Sequence, residues 1–434
     1  MITEKFDTKE STLAVDINEA TQAVKDNRFK DALNLLEITL VDHPEHIDSL
    51  YLAGVCSRYL KNFDESKKYI ESLLIVAPDM ARAYQELGHL YKALGDDSSA
   101  IIKYRQACEL NPALLASWNS LNALYVKLNN KPAAEHAIEQ VNKLKSLPNN
   151  LLYIDQIMNE GRLGIAEKRC REFLKRNPTN TYAMSQLAEI ANRLGYFDDA
   201  ELLLEKAVEF NSNDGELRMK YAMVLRKKQN FKKTMEQVNI LCEQFPNNLI
   251  YQSQKASELM QNGNHDDAIN LLNDILKKNE FNFSSLTSRG HAQKTLGRTD
   301  DAIKSYKSSY KIKEDHGEAF FSLSNLKTYS FTDNEIEIIK NQLARIDLSL
   351  KEKVYFHFAM AQAMESKGSF DEAFHHLEKG NQIKNDQSKY SIEGMDRELE
   401  AQIKTCDLDF FNKLGDGGFG AKDPVFILGL PRAG

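Results

Sequence analysis

Apolar residues return every three or four positions through most of the chain, as in Leu87, Leu90, Tyr91 and Leu94. That spacing places them on one stripe of an α-helix and leaves the charged residues on the other side. The stripes are interrupted at regular distances. A small residue stands at Ala32, Ser66, Ala100, Ala134, Ala166, Ala200, Thr234, Ala268 and Ala302, in steps of 34 residues except for Ala134 to Ala166, which is two shorter. Five residues before it come Asn27, Gly95, Asn129, Gly161, Gly195, Gly263 and Gly297; twelve after it come Pro44, Pro78, Pro112, Pro178 and Pro246. The Gly or Asn permits the left-handed backbone of a sharp turn. The small residue allows close helix packing, and the proline ends a helix. Each period therefore predicts two helices joined by a tight turn, with periods opening near Leu13, Ile47, Ala81, Leu115, Leu147, Thr181, Gly215, Leu249, Phe283 and Gly317.

The run Tyr84, Leu87, Gly88, Tyr91, Gly95, Ala100, Tyr104, Ala107 and Pro112 carries nearly the whole 34-residue pattern of tetratricopeptide repeats. The chain resembles that family, which implies an all-α fold, a right-handed superhelical solenoid of stacked helix pairs. The pattern divides the chain into an N-terminal segment (1–12), repeats (13–329), a divergent helix pair and last repeat-like pair (330–384), a helix with a Gly-rich linker (385–423) and a short tail (424–434). Within the divergent part, Ser330-Phe331-Thr332-Asp333 reads as a helix start, and Ala361, Gly368, Ala373 and Leu377 mark the last pair.

Composition narrows the class. Charged residues at 27% and hydrophobic residues at 42% exclude a disordered chain, and no apolar run is long enough to span a bilayer. The net charge of -7 disfavours nucleic acid as a partner. Lys304, Lys307, Lys311 and Lys313, interleaved with Tyr306 and Tyr310, read as a solvated helix face with its tyrosines inward. Cys56, Cys108, Cys170, Cys242 and Cys406 form no Cys-x-x-Cys pair, which points to a reducing, cytoplasmic setting without structural zinc. No His cluster or paired carboxylates stand out as a metal or catalytic centre; His375 and His376 are adjacent, so on a helix they diverge.

Stacked repeats bind with their first helices. Arg82, Gln85, His89, Lys92, Asn119, Tyr182, Glu189, Asn192, Arg193, Met219, Met223 and Arg226 are expected to line that groove. The surface is mixed in character and lacks the Lys–Asn pair that clamps chaperone tails, so a different protein or peptide segment is the expected partner. A stand-alone repeat scaffold for protein assembly is the alternative.

The tail changes character. Gly415 to Gly420 is Gly-rich, and Val425-Phe426-Ile427-Leu428 reads as a short strand. Gly429, Leu430, Pro431, Arg432, Ala433 and Gly434 then form the front of a phosphate-binding loop. This tail resembles the start of a sulfotransferase domain, departing at Ala433, where that family usually has Ser. Ser322 to Thr328 and Phe356-His357-Phe358-Ala359 resemble segments of bacterial tetratricopeptide–sulfotransferase proteins. The resemblance implies a repeat arm of an enzyme using 3′-phosphoadenosine 5′-phosphosulfate, with Arg432 and the loop backbone at the phosphosulfate. It implies a general base and acceptor pocket beyond Gly434, so this chain binds without catalysing. A repeat arm fused to a nucleotide hydrolase is a further reading of the two glycines.

Overall fold

The computed structural model describes residues 17–326, 328–345, 348–388 and 391–415. Among these, every regular element is a helix. The expectation of a short C-terminal strand is thereby corrected: the fold is all-helical, and no described segment offers a sheet edge with which a strand could pair. Val425 to Leu428 and the loop Gly429 to Gly434 themselves lie outside the described residues, as does Leu13.

The chain divides into two compact units at Lys278 and Asn279. In the first, helices pair in sequence. First helices run over Ile47–Tyr59, Ala81–Ala93, Leu115–Lys127, Asn149–Asn159, Thr181–Arg193, Gly215–Lys227 and Leu249–Gln261. Each is followed after a three-residue turn by its second helix, as Ala81–Ala93 is by Asp97–Leu110. Second helices that meet a proline stop two residues before it, at Asp42, Val76, Leu110, Arg176 and Gln244, because proline forces the residue before it out of the helical region. The small-residue column is the closest packing point. Ala100, Ala166, Ala200 and Ala268 are fully buried. Opposite Ala100 the first helix carries Gly88, where a Cβ would come within 2.6 Å of the Tyr104 ring.

The turn column takes the left-handed conformation whatever residue occupies it. Gly95 has φ +82°, but Lys61 has φ 63° and Gln229 has φ 58°. These two occupy the column without being Gly or Asn, because the three-residue turn imposes the geometry.

The irregular step at Ala166 has a structural counterpart. Helix Asn149–Asn159 has 11 residues where the other first helices of this unit have 13, helix Lys131–Lys145 has 15 where the other second helices have 14, and three residues (146–148) join them where four (77–80, 111–114) are usual. The second helix of that fourth repeat is rotated: Ile138 is exposed, while Ala137 and Val141 are buried.

The second unit holds helices Phe283–Thr295, Thr299–Ile312 and Gly317–Ser324, then Asp333–Leu343, Leu350–Ser366 and Phe370–Gln387, and finally Ile392–Thr405 and Leu408–Leu414. Thr332 caps Asp333–Leu343 in a reciprocal capping box with Glu335. The core of this unit gathers Tyr306, Phe320, Leu323, Ile339, Phe356 and Met360.

Candidate functional site

The first helices of unit one present the candidate binding face, and the irregular step divides it. Helix Asn149–Asn159 turns against the connection after the third repeat. Gln156 Nε2 donates to Ala113 O at 3.1 Å, and Asn111 Nδ2 donates to Gln156 O at 3.0 Å. Arg82 Nε donates to Glu160 Oε1 at 2.5 Å, so repeats three and five are bonded directly. Leu151 and Met158 are buried against Ala166, Cys170 and Leu187, and Asp155 is buried beside Tyr182 and Gln186.

The expected groove residues thus fall into two groups. Upstream, Arg82 is engaged by Glu160, and His89 shares a 2.7 Å hydrogen bond between its Nδ1 and the Tyr104 hydroxyl. Burial holds the His89 imidazole down at about 4. Gln85 is half-buried and Lys92 exposed. Asn119 turns back to donate to Leu115 O of its own helix.

Downstream, side chains are tied from repeat to repeat. Tyr182 OH donates to Asp155 Oδ2. Arg193 donates to Glu189 Oε1 at 2.7 Å, to Met158 O at 3.1 Å and to Asn159 Oδ1 at 3.1 Å. Asn192 Oδ1 accepts from Lys227 Nζ at 2.8 Å, and Ser185 Oγ accepts from Lys220 Nζ at 2.9 Å. Arg226 donates to Glu258 Oε1 at 3.0 Å. Met219 is half-buried and Met223 is exposed. The residues from Tyr182 to Arg226 therefore form a pre-bonded face around an exposed methionine. Side chains already held by neighbours lose less entropy when a ligand arrives.

Sequence reasoning missed the buried charges beneath this face. Glu86 is buried and receives both nitrogens of the Arg58 fork; burial pushes its carboxyl up, opposed by the Arg58 charge. Asp155 is also raised by burial, against the hydrogen bonds from Tyr182 and Gln186. Glu258 is almost wholly buried, takes Gln254 Nε2 at 2.6 Å beside Arg226, and leaves Oε2 unpartnered. The signal available was an acid and a base about one repeat apart on successive first helices, as for Arg58 with Glu86 and Arg226 with Glu258.

In unit two, Tyr306 and Tyr310 are buried. Lys304 pairs with Asp301 and Lys307 with Glu335, so these lysines meet carboxylates and form no bare cationic stripe. His376 does not stand alone: its Nδ1 lies 2.9 Å from His357 Nδ1. Among the described residues no group of three His, Cys, Asp or Glu side chains is placed to hold a metal ion. The five cysteines are unpaired. No helix among the described residues is long and apolar enough to cross a membrane. Gly429, Leu430, Pro431, Arg432, Ala433 and Gly434 lie outside the described residues.

Residues 81–114 and 254–316 match the tetratricopeptide repeat family, so the chain carries tetratricopeptide repeats. An uncharacterized protein of Aquifex aeolicus (strain VF5) is 22% identical over 310 residues, covering 68% of this chain and 40% of that protein. The BBSome complex member bbs-4 of Caenorhabditis elegans is 23% identical over 278 residues, covering 62% of this chain and 56% of its own length. The chain thus spans about half the length of these curated relatives. Among solved structures, MamA is similar at 17% identity over 39% of this chain and 92% of its own (TM-score 0.35). Yeast Tom70 matches at 13% over 94% and 100% (0.39). The human IFIT1 dimer with PPP-AAAA matches at 17% over 77% and 82% (0.40).

Proposed function

We propose that this tetratricopeptide-repeat chain is a protein-interaction scaffold whose partner segment lies on the first helices of repeats six to eight. The observation that carries the reading is the pre-bonded face there. Met223 is exposed on helix Gly215–Lys227, whose Lys227 is bonded to Asn192 of the preceding first helix and whose Arg226 is bonded to Glu258 of the following one. An extended or helical segment with an apolar anchor and flanking amides fits a face of this kind. A photo-crosslinking residue at position 223 tests it. The expected result is a discrete cross-linked partner that is not obtained from position 206, on a second helix. Equal yields from both positions refute the proposal.

A finer reading rests on resemblance alone. The tail from Phe426 to Gly434, with Ser322 to Thr328 and Phe356 to Ala359, supports a repeat arm of a cytoplasmic sulfotransferase that presents a protein or glycan acceptor. In that reading 3′-phosphoadenosine 5′-phosphosulfate serves an activity that this chain lacks. Calorimetric titration of the donor into a version extended past Gly434 tests it: no donor binding refutes the reading. Donor turnover by the 434-residue chain itself refutes the inactivity of the arm.

A further inference from the structure

In unit two the helix-pair stack ends on surfaces that the described residues leave open. The residue four after the small-residue column is normally sealed: Ile70, Tyr104 and Tyr306 are fully buried. Tyr306 lies among Phe320 and Leu323 of the next first helix. Leu377 stands four after Ala373 and is 43% exposed, with Phe370 and Phe374 each 68% exposed. With Phe321 and Phe358 they line an open groove of about 390 Å³ to which Asn325, Gln362 and Glu365 add polar groups.

The chain carries a matching surface. Ile392, Met395, Leu399 and Ile403 fall on one stripe of helix Ile392–Thr405, and Leu408, Phe411 and Leu414 continue along the next helix. No residue of either helix is buried. Helices of 14 and 7 residues are marginal in water without a packed face. Large contiguous apolar surfaces of this kind mark interaction sites.

We propose that two copies of this chain exchange these helices: the groove of Phe321, Phe358, Phe374 and Leu377 in one copy takes the 392–414 segment of the other, and the exchange is reciprocal. Each copy has one groove and one segment, so a two-fold arrangement covers all four surfaces. Among the described residues the segment has no buried side chain, which leaves it available to a neighbour. Two helical segments, each roughly 30 Å long, laid in two grooves would bury on the order of 1,200 Å² in total, within the range of specific interfaces. The assembly surface lies in unit two and is independent of the first-helix face in unit one.

Light scattering and sedimentation velocity on the 434-residue chain test the exchange. The expected species is a dimer that dissociates on dilution. Leu399→Glu spoils the segment and Phe374→Glu spoils the groove. Both side chains are exposed, so each variant should keep its helical circular dichroism while dimerisation weakens by at least about tenfold. Mixing the two variants at raised concentration should yield a heterodimer, since the intact groove of one meets the intact segment of the other. A monomer at all concentrations overturns the proposal, including a monomer whose segment folds back on its own groove. A dimer that survives either substitution also overturns it, as does a mixture of the two variants that stays monomeric.

Discussion

Replacing Lys61 or Gln229 with glycine should stabilise the chain, although neither side chain contributes to the apolar core. Both residues sit in the intra-repeat turn with φ near +60°, at 63° and 58°. A side chain in that region brings Cβ too close to the carbonyl oxygen and costs about 1–2 kcal/mol. Glycine removes that cost but gives back roughly 0.5–1 kcal/mol, because its unfolded chain is freer. The net expectation is about 0.5–1 kcal/mol of added stability per site. The two turns belong to separate repeats, so the gains should add within about 0.5 kcal/mol. Gly95→Ala is the mirror experiment. Nothing crowds its added methyl, so any loss comes from the backbone at φ +82°, and roughly 1 kcal/mol of destabilisation is expected. Urea unfolding followed by far-ultraviolet circular dichroism reads all three. In a linear array the change is felt first locally, so hydrogen exchange of amides near Thr234 should slow in Gln229→Gly. If Lys61→Gly and Gln229→Gly both leave the midpoint unchanged or lower it while Gly95→Ala lowers it, the strain argument is wrong at those turns.

Further outcomes follow from the packing and the buried charges. Gly88→Ala should destabilise by about 1–3 kcal/mol, since the added methyl meets the Tyr104 ring at 2.6 Å; a wild-type midpoint would contradict this. Arg226→Ala strands the buried Glu258 carboxylate and should cost about 3–5 kcal/mol, whereas Arg226→Ala with Glu258→Leu should recover most of it; equal losses for single and double variants would show that the pair is not coupled. Burial holds His89 and His357 down at about 4, against an ordinary 6.5. The unfolded chain therefore takes up protons first as pH falls from 6.5 towards 4, and stability should drop through that window. His89→Gln should flatten the drop in urea midpoints; an unchanged profile would contradict the assignment. Ala100→Glu should cost several kcal/mol, on the order of a buried unpaired charge, by forcing a carboxylate into a fully buried helix crossing. A native melting curve would be incompatible with that packing.

The periodic signals needed no tertiary information. A three-residue turn, a close crossing and a helix stop each restrict which residues fit, so Gly95, Ala100 and Pro112 declare the repeat in one dimension. The tail was different. Val425 to Leu428 has strand composition, but a strand acquires meaning only from a neighbour. The described residues supply none, and every regular element among them is a helix.

Sequence alone determined the helix pairs of this protein, their register and the small residues at their crossings, because those features depend on contacts within one repeat and its neighbour. Tertiary structure decided the candidate site. In the shortened repeat, helix Asn149–Asn159 has 11 residues where its counterparts have 13, and it lies against Ala113 while Arg82 meets Glu160. The groove that the periodicity drew as continuous is therefore divided, and Tyr182, Asn192, Arg193, Met223 and Arg226 remain on one bonded face. A change in helix direction moves side chains by whole ångströms while leaving the sequence pattern almost untouched. That is why the repeat could be read from spacing, whereas the bonds among these side chains came only from the structure.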